Sequence, residues 1–308
     1  MYSARDVGNQ QGRTFVITGA NSGIGYATAQ ILATSGARVL LCCRSLERGR
    51  QAARTIDAYV RAQAGSRVPS ADVAALALDL ADLHSIRAAA AQLLKEPRLD
   101  VLINNAGLMG PRRMLTADGC ESQFGVNHLG HFALTNLVLP KLLQQPASRI
   151  VTVSSLAHKI APLDLTDLSA DKTYHPFRRY AMSKLANLLF TFELQRRLAA
   201  SACTTMAVAC HPGGAVTNLG RHTPQILQRL IRPLARLVIN SPEAGALPLL
   251  RAATHADVVG GDYFGPAHLF ETSHSAVLVQ PAARALDEDA GARLWQVSAE
   301  LTGTDFCA

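Results

Sequence analysis

A short apolar strand that runs directly into a glycine-rich loop and then a helix constrains this chain more than any other stretch. Residues 14–18 are apolar and β-branched, which favours a strand, and residues 19–25 carry glycine at three positions. A helical pattern follows up to about Ser35, and Gly36 is placed to end it. Glycines let the backbone approach a pyrophosphate, and a helix N-terminus offers it unpaired N–H groups. The stretch therefore predicts a nucleotide-binding loop, although a glycine loop alone could be an ordinary turn.

Strand and helix patterns alternate along the rest of the chain. The strand patterns lie at residues 37–44, 73–80, 99–103, 149–155, 204–210 and about 261–266. The helical patterns lie at residues 45–64, 82–94, 115–143, 180–200, from 241 onward, and after about 280 around Trp295. Such alternation with short loops predicts an α/β fold, a single Rossmann-type doubly wound parallel sheet with helices on both faces. We expect one dinucleotide-binding and catalytic domain over residues 1–308.

The composition excludes several classes of protein. Of 308 residues, 48% are hydrophobic and 17% are charged, which is the balance of a globular chain and not of a disordered one. The net charge of +7 could favour nucleic acid, an anionic membrane surface or phosphorylated ligands. No basic block is interleaved with aromatic residues, so we expect no nucleic-acid partner.

The cysteines and the N-terminus point to the cytoplasm. None of the six cysteines has CxxC or zinc-site spacing, so we expect free thiols in a reducing compartment and no metal. The first residues are polar and lack the apolar core of a signal peptide. No uninterrupted apolar run is long enough to span a bilayer.

The end of the second strand bears on the choice of dinucleotide. An acidic residue there would hold the adenosine ribose and repel a 2′-phosphate, but Arg44 stands at this point and Arg48 follows one helical turn later. A guanidinium matches a phosphate dianion, so the sequence favours NADP(H) over NAD(H). Arg44 could alternatively end the strand in solvent without a ligand.

Other polar side chains also follow predicted strands, where ligands bind in parallel sheets. Asp79 is placed to hydrogen-bond an adenine amine, or it is a turn residue. Asn105 and Gly107 follow the fourth strand, and Gly107 allows the backbone to pass close to a ligand. Asn127 lies inside a helical pattern, where asparagine is disfavoured, which indicates a functional position.

Tyr180 and Lys184 stand four residues apart in a helical pattern, so their side chains share one face. A nearby ammonium stabilises a phenolate, which would let the tyrosine exchange protons closer to neutral pH. The pair could by itself be an ordinary surface contact. Together with Ser154 and Ser155 at the end of the fifth strand, it indicates a proton-transfer centre.

These motifs resemble those of the short-chain dehydrogenase/reductase family over about residues 12–265. The matching segments are TGANSGIG at 18–25, NNAG at 104–107, Asn127, Ser155, Tyr180 with Lys184, and PGGAVT at 212–217. Within the family, the segments NHLGHF at 127–132, VSSLAH at 153–158 and YAMSKLAN at 180–187 resemble the retinol dehydrogenase-like branch.

The resemblance implies a complete set of site residues. The implied catalytic residues are Asn127, Ser155, Tyr180 and Lys184. The implied cofactor-binding residues are Gly19, Asn21, Ser22, Gly23, Ile24, Gly25, Arg44, Asp79, Leu80, Asn105, Ala106, Gly107, Tyr180, Lys184, Pro212, Gly213 and Thr217.

The resemblance also implies a mechanism without metal. Tyr180 is the expected general acid in carbonyl reduction, or the base in alcohol oxidation, and Lys184 is expected to lower its pKa and to bind the nicotinamide ribose. Ser155, rather than Ser154, is expected to polarise the substrate oxygen. Asn127 is expected to hold a water that links Lys184 to solvent.

Two segments interrupt the alternation and are expected to surround a hydrophobic substrate that is retinoid-, steroid- or aldehyde-like. Residues 156–179 form a long irregular stretch, which we expect to wall the substrate pocket. Residues 221–240 combine an apolar stripe with arginines, which fits a surface helix, a mobile lid or a segment on an anionic membrane. The resemblance also implies a homodimer in which helices near 127–143 and 180–200 pair.

The expected function is that of an NADP(H)-dependent oxidoreductase acting on a carbonyl or alcohol, and two other functions share this fold. A cofactor-sensing regulator would bind NADP without turnover, but such proteins often lose the Tyr or the Lys that this chain keeps. A light-driven pigment reductase of the protochlorophyllide type would also carry the Tyr/Lys pair.

Overall fold

The structure is a computed structural model that describes residues 2–64, 71–201, 203–213, 241–267 and 275–306. These residues form one sheet with the strand order β3-β2-β1-β4-β5-β6-β7-β8. The strands are β1 (Thr14–Thr18), β2 (Arg38–Cys43), β3 (Val73–Ala77), β4 (Val101–Asn104), β5 (Arg149–Val153), β6 (Met206–Cys210), β7 (Tyr263–Pro266) and β8 (Ala276–Leu278). All neighbouring pairs from β3 to β7 are parallel, and β8 is antiparallel to β7.

The helices of the described chain flank this sheet. They are α1 (Gly23–Thr34), α2 (Leu46–Ala64), α3 (Leu83–Leu93), α4 (Ser122–Phe124), α5 (Gly130–Leu142), α6 (Pro176–Ala200), α7 (Pro242–Thr254) and α8 (Glu288–Thr302). A π-helical turn, Gly125–Leu129, joins α4 to α5. Short 3-10 turns occur at Ala4–Val7, Leu156–Lys159 and Ala283–Leu286.

Strand β1 shows why the sheet needs helices on both faces. Phe15 and Ile17 point to one face and pack with residues of α1, α2 and α7. Val16 points to the other face and packs with residues of α3, α5, α6 and α8. Every residue of β1 is buried, as expected for a central parallel strand with a continuous apolar run. The predicted doubly wound α/β architecture is therefore confirmed.

Helix α8 covers part of the surface of α5 and α6. Its Trp295 is 3% exposed, and the indole ring lies 5.8 Å from the Phe190 ring and 4.9 Å from the Phe132 ring. The indole N–H donates to Asp305 at 2.8 Å, and the guanidinium of Arg197 lies 4.3 Å from the ring. The parts of α5 and α6 beneath Trp295 are thus buried within the chain itself.

The structure corrects several predicted boundaries. The helix predicted over 115–143 begins at Ser122, because Leu115 pairs with Glu121 as an isolated β-bridge before it. The irregular segment predicted over 156–179 ends earlier, since α6 starts at Pro176 with His175 as its N-cap. The strand predicted over 73–80 ends at Ala77. Strand β8 was not predicted, because three residues are too few to show a pattern.

Some predictions lie outside the described residues. They include the whole segment 221–240 and Thr217. Within the residues that are described, no helix is both long enough and apolar enough to cross a membrane.

Candidate active site

A cleft of about 430 Å³ opens at the carboxyl ends of the central strands. The sequence predicted most of its walls, and its lining residues come from the ends of β1, β2, β4, β5 and β6 together with the start of α1 and one face of α6. They are Gly19, Asn21, Ser22, Gly23, Ile24, Gly25, Arg44, Asn105, Ala106, Gly107, Leu108, Met109, Val153, Ser154, Ser155, Tyr180, Lys184, Pro212 and Gly213. The parallel register brings these segments together from positions far apart in the chain.

The glycine loop has the backbone shape that the sequence predicted. Gly19 and Gly23 have φ values of +67° and +61°, a region that side chains with a Cβ rarely adopt. A Cβ on Gly25 would lie 2.5 Å from the Asn105 amide nitrogen, so glycine is required there by close packing. Helix α1 begins at Gly23, and a Cβ on Gly23 would meet nothing within 4 Å. The N-terminus of α1 therefore faces the open cleft.

Thr18, the last residue of β1, fastens the glycine loop to the turn after β4. Its hydroxyl accepts hydrogen bonds from the backbone N–H groups of Asn105 and Ala106, each at 2.9 Å. The Asn105 side chain donates in return to the Thr18 carbonyl at 2.7 Å. Thr18 was noted in the sequence as part of a motif, and this role of its hydroxyl was not predicted.

His131 completes this network from the opposite side. Its Nδ1–H donates to the carbonyl of Asn127 at 2.9 Å, which leaves Nε2 to accept from the Thr18 hydroxyl at 2.9 Å. Burial lowers the pKa of His131 to about 4, so the ring is neutral, as this arrangement needs. Sequence reasoning missed His131; its spacing of four residues from Asn127 on one helical face was the available signal.

Tyr180 and Lys184 both line the cleft from α6, and both are nearly completely buried. The Lys184 ammonium donates to the Val153 carbonyl at 3.0 Å and lies 5.8 Å from the centre of the Tyr180 ring. Burial lowers the pKa of Lys184 to about 8 because the charged form is disfavoured away from water. The Lys184 ammonium is therefore a stronger proton donor than an exposed lysine.

The pKa of Tyr180 differs from the expectation that Lys184 lowers it. Burial raises the pKa of the phenol, and a hydrogen bond with the Ser155 side chain opposes that rise. Burial dominates because Tyr180 is 9% exposed and the Lys184 ammonium is directed to a backbone carbonyl. The phenol is therefore protonated at neutral pH in this structure.

The two serines after β5 have different surroundings. The Ser154 hydroxyl is buried and donates to the backbone carbonyl of Lys184 at 2.8 Å, which ties β5 to α6. The Ser155 hydroxyl accepts from the Ala157 N–H at 3.2 Å and hydrogen-bonds with Tyr180. The geometry thus groups Ser155, and not Ser154, with the phenol.

Asn127 lies in the π-helical turn and is completely buried, so it does not line the cleft. Its side-chain oxygen accepts from the Leu108 N–H at 2.8 Å, and its amide donates to the Leu108 carbonyl at 2.9 Å. The amide also donates to the Ser183 hydroxyl at 3.0 Å. Asn127 therefore fixes the backbone of Leu108, which follows the turn after β4.

Of the remaining predicted cofactor residues, some line the cleft in the structure and others do not. Arg44 lines the cleft and is exposed. Asp79 does not line it, and its carboxylate accepts from the Ala81 N–H at 3.0 Å, as in a turn. Leu80 lies away from the cleft, and its carbonyl would be 2.5 Å from a Cβ on Gly130. Thr217 is outside the described residues.

Comparison with known proteins decides the family. The short chain dehydrogenase model matches residues 13–225. The chain belongs to the short-chain dehydrogenase family. Human retinol dehydrogenase 14 is 42% identical over an alignment of 311 positions, which covers 97% of this chain and 88% of that protein. The resemblance to the retinol dehydrogenase-like branch is thereby confirmed.

Solved structures of short-chain dehydrogenases and related chains are similar as well. The crystal structure of an uncharacterized protein from Mycobacterium paratuberculosis matches with a TM-score of 0.82 at 41% identity, covering 100% of this chain and 99% of that one. A structure from Beutenbergia cavernae, described as an NAD(P)-dependent gluconate 5-dehydrogenase with NADP bound at low occupancy, matches with a TM-score of 0.63. That match has 27% identity and covers 83% of this chain and 95% of the other.

Membership in the short-chain dehydrogenase family identifies the chain as an oxidoreductase of the type that uses nicotinamide cofactors. Sequence reasoning missed three cleft residues, Leu108, Met109 and Val153, because no residue pattern marks an apolar side chain as part of a binding site. Their position directly after NNAG and before the two serines was the signal available.

Proposed function

We propose that this protein is an NADP(H)-dependent oxidoreductase that moves a hydride between nicotinamide and the carbonyl or alcohol carbon of a hydrophobic substrate. The observation that supports it best is the joint presence of Ser155, Tyr180 and Lys184 in one cleft with the glycine loop and Arg44. A proton donor, a cation and a phosphate-binding loop in one cleft are the parts that carbonyl reduction requires.

The cleft fits a dinucleotide on grounds of backbone shape. The glycine loop lacks side chains where a pyrophosphate would approach, and α1, 12 residues long, directs its N-terminus to the same place. When bound, nicotinamide supplies or accepts the hydride. We propose that the cofactor-binding set predicted from sequence holds it, with Asp79 and Leu80 the weakest members because neither lines the cleft.

Arg44 supports a preference for NADP(H). The side chain is exposed at the rim of the cleft, directly after β2, and Arg48 is also exposed. Among the described side chains that line the cleft, none is a carboxylate that would hold a ribose 2′-hydroxyl and repel a phosphate. A guanidinium at this point favours a 2′-phosphate.

The chain's own residues can deliver the proton. The Tyr180 phenol is held protonated by burial, so it carries a proton that can be donated to a carbonyl oxygen. The Ser155 hydroxyl, next to the phenol, would hydrogen-bond to the same oxygen and polarise it. Lys184, with its pKa lowered to about 8, would replace the proton that Tyr180 gives up. Asn127 would keep the Leu108 backbone in place beside them.

An apolar substrate is supported by the lining beyond the glycine loop. Leu108, Met109, Val153 and Pro212 are apolar residues among those that line the cleft. Such surfaces favour retinoid-, steroid- or long-chain aldehyde-like molecules over sugars. The similarity to proteins named retinol dehydrogenases agrees with this class.

The proposal is tested with a panel of carbonyls and alcohols followed at the NADPH absorbance, with NADH in parallel. We expect turnover of apolar members, faster with NADPH, and a loss of about 10²- to 10⁴-fold in Tyr180→Phe with NADPH binding retained. Ser155→Ala should lose activity, and Ser154→Ala serves as the matched control for the serine assignment. NADPH binding without turnover on the whole panel would contradict the enzyme and favour a cofactor sensor, and a coloured pigment bound to the purified protein would favour a light-driven reductase.

Four further statements stay predictions from the sequence. They are a single domain over residues 1–308, the segments 156–179 and 221–240 as the surroundings of the substrate, a cytoplasmic location and a homodimer. A dimer that pairs α5 and α6 would have to form beside α8, which already buries Phe132 and Phe190.

A further inference from the structure

Met109 lies where a substrate would meet the proposed reaction centre. It lines the cleft and is half-buried. It packs against the same buried cluster that contains Tyr180, as do Leu163, Leu165 and Leu168 of the following irregular segment. Met109 and that segment therefore share one buried cluster, although residues 156–179, all of which are described, are not among the residues that line the cleft.

The backbone on both sides of Met109 is held by side chains from elsewhere in the fold. Before it, Leu108 exchanges two hydrogen bonds with the Asn127 amide, at 2.8 and 2.9 Å. After it, the carbonyl of Gly110 accepts from the Tyr174 hydroxyl at 2.8 Å. Methionine is flexible in its side chain, so a fixed backbone is what gives this residue a defined position in the cleft.

The Tyr174 hydroxyl is itself held in place. It accepts from the Gln123 amide at 3.0 Å while it donates to Gly110. Gln123 is fully buried, and the same amide donates to the Pro176 carbonyl at the start of α6. The hydroxyl therefore connects the backbone next to Met109 to the helix that carries Tyr180.

A second contact joins the same two segments. The Arg113 guanidinium pairs with Asp171 and donates to the Ser169 carbonyl at 2.9 Å. This pair is exposed and contributes little to stability. The half-buried Tyr174 contact is therefore the more important of the two for the position of residues 108–110.

We propose that Met109 determines specificity for the apolar part of the substrate, and that Tyr174 is the positioning residue that holds Met109 against it. The inference rests on the proposed function, because it names the surface that the hydrophobic substrate contacts. It assigns to the segment 156–179 an indirect role, in which the segment supports the cleft wall through residues 108–110.

The test compares a short and a long unbranched aldehyde, hexanal and decanal, each with NADPH. Decanal has a longer tail than hexanal, so more of its chain is available for contact with an apolar wall at Met109. We expect Met109→Ala to lower kcat/KM for decanal by about tenfold, the size of one to two lost methylene contacts, with a much smaller change for hexanal. Met109→Leu should restore most of the loss.

Tyr174→Phe removes one oxygen and keeps the ring. We expect KM for decanal to rise about three- to tenfold, while kcat for hexanal and the Kd for NADPH stay as in the wild type. Tyr59→Phe, at a residue of α2 that is 42% exposed, is the matched control and should change none of these values. The melting temperature of each variant separates a misfolded protein from a repositioned wall.

Each outcome decides the inference. A Met109→Ala variant that affects both aldehydes equally, or a folded Tyr174→Phe variant with unchanged KM for decanal, would overturn it while leaving the oxidoreductase proposal intact. A wild-type protein that binds NADPH and turns over no carbonyl or alcohol would overturn the proposed function, and this inference with it.

Discussion

Replacing Thr18 with valine should separate the role of its hydroxyl from the role of its shape. Valine has nearly the same volume, so packing at the end of β1, where Thr18 is fully buried, is preserved. What is lost is the oxygen that accepts from two backbone N–H groups and donates to His131. In the valine variant, the two backbone N–H groups and the His131 ring remain in place but lose their hydrogen bonds to this oxygen.

The loss of unfolding free energy in Thr18→Val depends on which hydrogen-bond partners of the hydroxyl find no substitute. The Asn105 N–H keeps a second acceptor, the Ile103 carbonyl at 3.0 Å. The Nε2 of His131, which is 1% exposed, has no replacement donor, and a buried unsatisfied group costs about 1–3 kcal/mol. The Ala106 N–H borders the cleft and can reach water, so it adds about 1 kcal/mol. The expected destabilisation is therefore about 2–4 kcal/mol.

Thr18→Ser is the matched variant, because it keeps the hydroxyl and loses a buried methyl group worth about 1 kcal/mol. Urea unfolding followed by tryptophan fluorescence measures both variants, and Trp295 is the sole tryptophan of the chain. Since Asn105 and Ala106 line the cleft, Thr18→Val should also raise the Kd for NADPH by about three- to tenfold, measured by NADPH fluorescence.

The result that would refute this reasoning is a valine variant as stable as the serine variant. Hydrophobicity alone predicts that order, since valine buries more apolar surface than serine. An order with serine above valine requires the hydroxyl to be a structural hydrogen-bonding centre.

Three other perturbations test separate parts of the structure. Arg44→Glu should raise the Kd for NADPH by about 10- to 100-fold, as expected for losing a charge-assisted contact, and it should change the Kd for NADH much less; an equal rise for both nucleotides would contradict the role of Arg44. The kcat for carbonyl reduction should fall as pH rises through about 8, because the Lys184 ammonium, whose pKa burial lowers to about 8, then loses the proton it supplies; a flat profile across that range speaks against Lys184 as the source. Trp295→Ala should destabilise the protein by about 3–5 kcal/mol, because it opens a cavity between α8 and the rings of Phe132 and Phe190. Leu301→Ala on the same helix, at a side chain 42% exposed, should cost under about 1 kcal/mol. Circular dichroism melts that show equal losses of stability for the two variants would refute the packing argument.

Much of the cleft could be predicted because its motifs follow strands. A parallel sheet brings the carboxyl ends of its strands to one edge, so a polar or glycine-rich segment after each strand predicts a common site without coordinates. This reasoning placed the glycine loop, Arg44, the turn after β4 and the serines after β5 at one cleft, as the structure does. For Asp79 it left two alternatives open, and the carboxylate accepts from the Ala81 N–H within its own turn.

Other features of the cleft depend on contacts between distant positions. The Thr18 hydroxyl and the His131 ring are 113 residues apart in sequence and 2.9 Å apart in space. No local pattern encodes that distance, since it arises when α5 packs on the sheet. Met109 escaped prediction because no residue pattern marks an apolar side chain as part of a cleft, and the hydrogen bonds that hold its two neighbours come from distant segments.

The sequence by itself determined the family, the order of strands and helices as far as β7, and the types of side chain available for chemistry. These follow from periodicity and from motifs a few residues long, which depend on near neighbours. The tertiary structure decided that Ser154 ties β5 to α6 while Ser155 meets Tyr180, and that burial raises the pKa of the phenol while it lowers that of Lys184. Those outcomes depend on desolvation and on hydrogen-bond partners, and both are set by parts of the chain that come together when it folds.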